Sequence, residues 1–350
     1  MRKFLNLWAE RYLSDPEAII LLLTLFFSGM LLWGLGKMLA PALVALVLAY
    51  LLDWAVSGLT RCKLPHTLAV WLVFLSFIGA SLVGIIGVLP SLLRQAHSFI
   101  QELPVMLTKG QVLLMQLPDR YPDYISPEQV RSVLVDLSSH VTQFGQWFVS
   151  HVLTSIPNAI ILMVYAVLVP MLIFLFLKDK TPLLRWFRRF SPEHKRALHE
   201  VMEEMHVQIG NYVRGKIIET VIISTIACTV FMTMDLRYAM LLGILVGLSV
   251  IVPYIGAVAV TVPVVMVSLL QFGWSPTFAY LIIAYAVIMA VDANVLVPVL
   301  FSEANDLHPV AIILAVLVFG GLWGFWGVFF AIPLASLVKA IINAWPVQRY

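Results

Sequence analysis

The sequence contains few charged residues for its length. Of 350 residues, 12% are charged and 61% are hydrophobic, and this charged fraction is about half that of ordinary soluble domains. So few charges cannot cover the surface of a protein of this size, which excludes a water-soluble globule. Long runs without Asp, Glu, Lys or Arg recur along the chain, as they do in helices that cross a bilayer. The composition predicts an all-α, polytopic membrane protein.

The motifs of common enzyme classes are also absent. The sequence has no GxxxxGK[ST], HExxH or GxSxG motif. It therefore lacks the motifs that ATP-driven pumps and the common hydrolases use. The two cysteines, Cys62 and Cys228, are far apart, which argues against a disulfide framework or a metal cluster. The net charge of +3 is too small to indicate nucleic acid as a partner. We expect no enzymatic activity, cofactor or metal.

The apolar runs predict about six full membrane spans, which divide the chain into five regions. The spans are 16–36, 38–52, 67–89, 152–177, 217–234 and 277–300. The regions are N-terminal transmembrane helices at 1–89, an extracytoplasmic loop domain with interfacial helices at 90–151, a transmembrane helix at 152–177, a basic cytoplasmic helical segment at 178–216, and a transport core at 217–350. At the end of the basic segment, Arg214 and Lys216 are expected to extend toward lipid headgroups.

Basic residues indicate how the chain is oriented, because cytoplasmic loops hold an excess of Lys and Arg. With the amino terminus inside, the predicted spans leave 16 basic residues inside and 6 outside. No cleavable signal peptide precedes the first apolar run. The sequence therefore predicts a multi-pass protein with both termini in the cytoplasm.

Residues 238–271 do not fit a simple spanning helix. These 34 uncharged residues are too many for one helix across a core of about 30 Å and too few for two full spans with a turn. The segment Pro253-Tyr254-Ile255-Gly256 interrupts the run at its middle. Proline removes a backbone donor and glycine admits a reversed backbone. We predict a helical hairpin that enters from the extracytoplasmic side.

Residues 308–343 repeat this design, with glycines at the predicted tip. These are Gly320, Gly321, Gly324 and Gly327. The second hairpin is expected to enter from the cytoplasmic side, so that two opposed hairpins place non-helical backbone near the midplane. Such backbone is tolerated only against protein or a watery cavity, and the arrangement is typical of secondary transporters. Two pairs of short spanning helices, packed closely through the glycines, are the alternative.

Asp292 is the strongest candidate for a binding residue. No other Asp, Glu, Lys, Arg or His occurs between Arg237 and Glu303. An acid within an apolar span costs about 2.5–3.5 kcal/mol on insertion scales, so it should face a partner or water. We expect Asp292 to bind a coupling proton or cation, or a substrate hydroxyl, with Asn294 assisting. A structural hydrogen bond to a hairpin is the alternative.

Further candidates lie at the two hairpin tips and at the inner mouth. Exposed backbone groups, a tyrosine hydroxyl and a tryptophan face could hold a small polar ligand, although aromatic residues near broken helices often only pack. The tip candidates for substrate or coupling-ion binding are Pro253, Tyr254, Gly256, Gly320, Gly321, Trp323 and Gly324. The gate candidates are Glu303, Asp306 and His308, for which a solvated loop is the alternative.

Several motifs taken together resemble one protein family. They are Pro253-Tyr254-Ile255-Gly256, the Asp292-x-Asn294 pair followed by Pro298, Leu307-His308-Pro309, and the glycine and tryptophan run at 320–327. This combination resembles the autoinducer-2 exporter family and, within it, the PerM-type predicted permeases of bacterial inner membranes. The resemblance extends over nearly the full chain.

The resemblance implies an inner-membrane homopentamer in which each subunit moves a small solute by an elevator-like mechanism. The family is named for export of a furanosyl signalling molecule, and similar proteins have been assigned cation/proton antiport. We therefore expect an exporter of a small polar solute, such as an autoinducer-2-like molecule, driven by an ion gradient, with membrane lipid as its other partner. A cation/proton antiporter, a passive channel, and a scaffold that binds an envelope partner through 90–151 are the alternatives.

Overall fold

The computed structural model describes residues 16–115, 159–188, 196–301 and 307–344. Throughout these ranges the chain is helical with short turns and contains no strand. Within them, five helical segments are long and apolar enough to cross a membrane, and four shorter apolar helices accompany them. This architecture confirms the predicted all-α, polytopic membrane protein.

The first helix is longer than the sequence indicated. Helix α1 runs without interruption from Pro16 to Arg61 over 46 residues, which is about 69 Å at 1.5 Å per residue. The sequence suggested two spans, 16–36 and 38–52, with a reversal at Lys37. Lysine is a good helix former and does not end a helix by itself. The reversal that the count of basic residues assumed at Lys37 is therefore absent.

The second long helical segment contains a wide, π-helical turn. It consists of α2 (His66–Val83), the π turn (Gly84–Val88) and α3 (Leu89–Met115). In this turn the Leu89 N–H donates to the Gly84 carbonyl, five residues back. A proline fits poorly in a regular helix interior, and the wider turn makes room for Pro90. The loop domain was expected to begin at this residue. The helix thus continues to Met115, and residues 116–151 lie outside the described ranges.

Helices α1, α2 and α4 form one packing group. Helix α4 covers Ala159–Lys178 and the short helix α5 covers Lys180–Arg188. The buried side chains of this group, which we call the scaffold cluster, are Ala45, Ala49, Val56, Ala69, Val70, Val73, Ile173 and Leu177. The alanines among them are small enough to allow helices to approach closely in a membrane. Lys180 Nζ and Asp53 Oδ2, 2.7 Å apart, form an ion pair between α5 and α1.

Helix α3 packs through Phe99 and Met106 against a second group, the core, which consists of the helices that follow α5. They are α6 (Arg196–Thr233), α7 (Ala239–Ser249), α8 (Ile255–Phe272), α9 (Pro276–Val291), a π turn (Asp292–Leu296), α10 (Val297–Leu300), α11 (Pro309–Trp323), α12 (Phe325–Phe329) and α13 (Ala331–Ala344). Helix α6 passes the expected boundary between residues 216 and 217 without a break. The backbone has a positive φ at Tyr254 (61°) and at Gly324 (59°), so both predicted hairpin segments contain a bend.

Each bend brings its two flanking helices into direct contact. In the first hairpin, the backbone of Gly256 packs against the carbonyl group of Ser249. In the second, Gly327 packs against the carbonyl group of Phe319. A Cβ atom at either glycine would overlap that carbonyl oxygen, so only glycine permits these approaches. The two segments therefore fold as compact hairpins.

The two hairpins also contact each other. Val252, beside the first bend, packs against a buried cluster of the second hairpin formed by Ala315, Val316 and Ala331. Its neighbour Ile251 belongs to a buried cluster with Phe329 of the second hairpin. The first bend thus lies against the two limbs of the second hairpin.

Candidate functional site

The candidate site begins with an ion pair on helix α6. Lys216 and Glu219 lie one turn apart, and Lys216 Nζ donates to Glu219 Oε2 at 2.8 Å. Both residues are buried, with 5% and 1% of their surfaces exposed. They belong to the segment Gln208–Thr233, which is long and apolar enough to cross a membrane. Ionisable side chains inside such segments are rare and commonly mark ion or substrate paths.

Asp292 joins this pair from another helical segment. It opens the π turn after α9 and is 7% exposed. Lys216 and Glu219 are the charged groups that act on its carboxyl, and Asp292 acts in turn on Glu219. Asp292 Oδ1 is buried and receives no hydrogen bond from the described part of the chain. These three residues, which we call the charged cluster, provide the partner that the lone acid was expected to face.

The packing of α6 against α7 sets the cluster level with the first bend. Gly243 lies against Cys228, and Gly247, four residues later on α7, lies against Ser224, four residues earlier on α6. The two helices are therefore antiparallel. Extending this pairing by five residues, forward from Gly247 and backward from Ser224, places the start of the bend at the same height along the helix axis as Glu219.

The packing of α8 against α9 sets Asp292 at the same level. Thr261 Oγ1 and Tyr285 Oη are joined by a hydrogen bond of 2.7 Å. Asp292 comes seven residues after Tyr285, and Tyr254 comes seven residues before Thr261. Because the two helices are antiparallel neighbours, Asp292 lies level with Tyr254. Two independent helix pairs thus place the charged cluster at the level of the first bend.

Aromatic rings close the cluster on the side of Lys216. The Phe301 ring centroid is 5.4 Å from Lys216 Nζ, and a cation over an aromatic face is stabilised electrostatically. The Tyr212 ring lies 5.7 Å from the Phe301 ring and 6.2 Å from the Phe329 ring. Gly215 permits this packing, because a Cβ atom there would come within 2.7 Å of the Phe301 ring. Charges within such an apolar shell interact more strongly than they do in water.

The charged cluster contains more acid than base. Its two carboxyl groups face a single ammonium group, so the fully ionised cluster carries one excess negative charge. Among the described residues, no three His, Cys, Asp or Glu side chains are grouped in a way that suits a metal ion. The arrangement can bind one proton, one monovalent cation or a hydroxyl donor from a solute.

The candidates of the first bend lie at the level of this site without belonging to the cluster. Tyr254 has a φ of 61° and is 54% exposed, so its hydroxyl is accessible. Pro253 is half-buried and leaves the bend one backbone donor short. Gly256 is buried against Ser249 and holds the hairpin closed.

The candidates of the second bend have packing contacts of their own. Gly320 lies against Val328, whereas a Cβ atom at Gly321 would have no neighbour within 4 Å. Trp323 stacks on Phe319 with ring centroids 5.8 Å apart, as in the packing alternative. Gly324, with a φ of 59°, forms the bend itself.

Asn294 and His308 have local hydrogen bonds. Asn294 is exposed and its Nδ2 donates to the Ala290 carbonyl at 2.8 Å, so it does not join Asp292 in the charged cluster. The Val310 N–H donates to His308 Nδ1 at 3.2 Å, which caps helix α11. The other gate candidates, Glu303 and Asp306, lie outside the described residues and stay predictions.

The two cluster residues on α6 were not among the residues that the sequence predicted for the site. Lys216 was expected at the lipid headgroups, but the structure buries this side chain between Glu219 and the Phe301 ring. A signal was present, because Glu219 is an acid within the predicted span 217–234 and follows Lys216 by three residues. That spacing places two side chains on one face of a helix.

The comparisons agree with the architecture. The sequence model of the family described as "AI-2E family transporter" matches residues 19–347 of this chain. The chain is 43% identical over 346 residues to the "Putative permease PerM" of Escherichia coli K12, covering 99% of this chain and 98% of that protein.

More distant relatives cover nearly as much of the chain. The "Putative transport protein YrrI" of Bacillus subtilis is 22% identical, over 93% of this chain and 92% of its own length. The "Putative transport protein YueF" of the same species is 25% identical, over 86% of this chain and 82% of its own length. This chain is a multi-pass membrane protein that belongs to the AI-2E family of transporters.

Proposed function

We propose that this chain exports a small polar solute, such as an autoinducer-2-like molecule, across the bacterial inner membrane by alternating access driven by an ion gradient. The observation that carries the proposal is the buried charged cluster beside the first hairpin bend. Burying ionisable groups in an apolar span is costly, and such groups commonly mark a transport path. Secondary transporters combine ion and solute sites with broken helices in the same way.

The division of the described helices into two packing groups supports movement of the core against a scaffold. The scaffold cluster joins α1, α2 and α4, whereas the hairpins and the charged cluster belong to the core. Helix α1 reaches the core through Val47 and through Tyr50, which lies against Gly210, and helix α3 packs against the core through Met106. Separately packed bodies can slide as rigid units, as an elevator mechanism requires. In the proposed homopentamer, the scaffold helices would hold the assembly together.

Transport into proteoliposomes with an imposed proton or sodium gradient tests the proposal. The probes are a panel of small polar solutes that includes a furanosyl autoinducer-2. The key variant is Asp292→Asn, and the control is Glu102→Gln, which removes an exposed carboxylate paired with Arg237 at the far end of the first hairpin. We expect Asp292→Asn to abolish uphill transport and Glu102→Gln to retain it. Uphill transport by Asp292→Asn at the native rate would refute the assigned role.

Cation/proton antiport is a second candidate function, because the excess negative charge of the cluster can bind a cation without any solute. Its test uses the same vesicles with an internal pH dye. Sodium-dependent collapse of the proton gradient in the absence of solute would favour the antiporter. Solute-dependent collapse would favour the exporter.

A further inference from the structure

The charged cluster raises the question of what balances its excess negative charge. Lys216 can neutralise one carboxylate only, and it already binds Glu219 at 2.8 Å. Asp292 then adds a second carboxylate beside the pair, inside a shell of apolar side chains. Two neighbouring carboxylates in such a site repel each other, and taking up one cation removes that repulsion.

The geometry favours a proton over a metal cation. Hard cations require several oxygen ligands, and the ammonium group of Lys216 would repel a metal ion placed beside Glu219. Asp292 Oδ1, in contrast, is a single buried oxygen without a hydrogen-bond partner among the described residues. One shared proton needs only two carboxyl oxygens that approach each other, and the Glu219 and Asp292 carboxyl groups interact directly.

We propose that Glu219 and Asp292 share one proton beside the fixed positive charge of Lys216, and that this proton is the coupling ion. Within the described residues, the titratable groups that face the pair are Lys216 and Tyr212 on α6. The first bend adds the apolar side chain of Ile251 next to them. Opening the bend toward water on one side of the membrane would let the proton leave, and closing it would retain the proton. The coupling role rests on the proposed transport function, whereas the presence of the proton does not.

Infrared difference spectroscopy on the purified full chain in lipid detects the proton without any substrate. A protonated carboxyl has its own carbonyl stretching band, which shifts when H2O is replaced by D2O. We expect this band in the native protein at neutral pH. It should be lost in Asp292→Asn and also in Glu219→Gln, because either variant leaves one carboxylate that Lys216 neutralises. Glu102→Gln, which removes an exposed carboxylate, should retain the band.

A gain-of-signal variant covers the case in which the loss variants fail to fold. Lys216→Met removes the positive charge, so both carboxyls should be protonated and the band should increase about twofold. Unfolding would instead expose these carboxyls to water, where they ionise. A band that persists in both Asp292→Asn and Glu219→Gln, or that does not increase in Lys216→Met, would overturn the proposal. Loss of the native band on addition of sodium would assign the site to a metal cation.

The infrared and transport experiments can refute the shared proton and the transport role independently of each other. If the infrared band behaves as expected but Asp292→Asn transports solute uphill at the native rate, the shared proton stands and the transport role falls. If Asp292→Asn abolishes transport but the band is unaffected by either variant, the transport role stands and the shared proton falls.

Discussion

Replacing Lys216 with methionine should destabilise the folded chain far more than removing an exposed lysine of the same kind. Methionine has a similar length and keeps the apolar contacts of the lysine stem, so the main loss is the positive charge. That charge lies 2.8 Å from Glu219 Oε2 and 5.4 Å from the Phe301 ring centroid. Its removal leaves two carboxyl groups buried together without a counter-ion.

The expected cost follows from the burial of the pair. Breaking a buried ion pair by removing one partner typically costs about 3–5 kcal/mol, because the remaining group must either keep an uncompensated charge inside or be neutralised by taking up a proton. The matched control is Lys180→Met, which breaks a pair with Asp53 at 2.7 Å whose side chains are 44% and 23% exposed. Solvent screens that pair, so the control should lose at most about 1 kcal/mol. The two pairs have nearly equal lengths and differ in burial.

The measurement is the free energy of unfolding of the purified chain in mixed micelles, obtained by titration with a denaturing detergent. The double variant Lys216→Met/Glu219→Gln provides the internal check, because it leaves Asp292 as one carboxyl that a single proton neutralises. We expect it to recover more than half of the stability lost by Lys216→Met. Equal losses for Lys216→Met and Lys180→Met, or a double variant no better than the single one, would refute the assignment of a buried charged cluster.

Two further predictions concern glycine packing and a surface ion pair. Gly327→Ala should lower the free energy of unfolding by about 1–3 kcal/mol through overpacking, because its Cβ atom would overlap a carbonyl oxygen. Gly321→Ala is the control and should be neutral or stabilising, because there is open space around this residue. Equal melting temperatures of the two variants would contradict this reasoning. Glu102→Gln should change the unfolding free energy by less than about 1 kcal/mol, because its bond to Arg237 is exposed, and any effect should vanish in high salt.

The overall architecture could be predicted from the sequence because its signals are local. Long uncharged runs indicate apolar helices, and proline or glycine within such a run indicates a bend, which the structure places at Tyr254 and at Gly324. The helix boundaries were less accurate. A charge at Lys37 and a proline at Pro90 were both interpreted as breaks, yet a lysine tolerates a helical backbone and a π turn absorbs a proline.

The candidate site could be predicted only in part because it joins distant segments. Asp292 was identified from its own composition signal, a single acid in a long apolar stretch. Its partners on α6 precede it by more than 70 residues, and no spacing rule connects Asp292 with Lys216 or Glu219. Their proximity results from the packing of α6, the first hairpin and α9, which depends on close contacts such as those at Gly243 and Gly247. Long-range contacts of this kind are visible only in the structure.

The π turn at Asp292 explains how one helical segment can complete both parts of the site. Asp292 contributes the second carboxylate, and Phe301, nine residues later, contributes the ring beside Lys216. Nine residues are about two and a half turns of a regular α-helix, which would direct the two side chains to opposite faces.

In the π turn, the Val297 N–H donates to the Asp292 carbonyl five residues back, and Pro298 follows. Absorbing one extra residue in this way rotates the rest of the segment by about 100° relative to a regular helix. The rotation brings Phe301 toward the face that carries Asp292, so both reach α6. The proline therefore serves the site through the backbone: it favours the wide turn, and the wide turn allows the carboxylate to act electrostatically on the same lysine whose ammonium group lies over the aromatic ring.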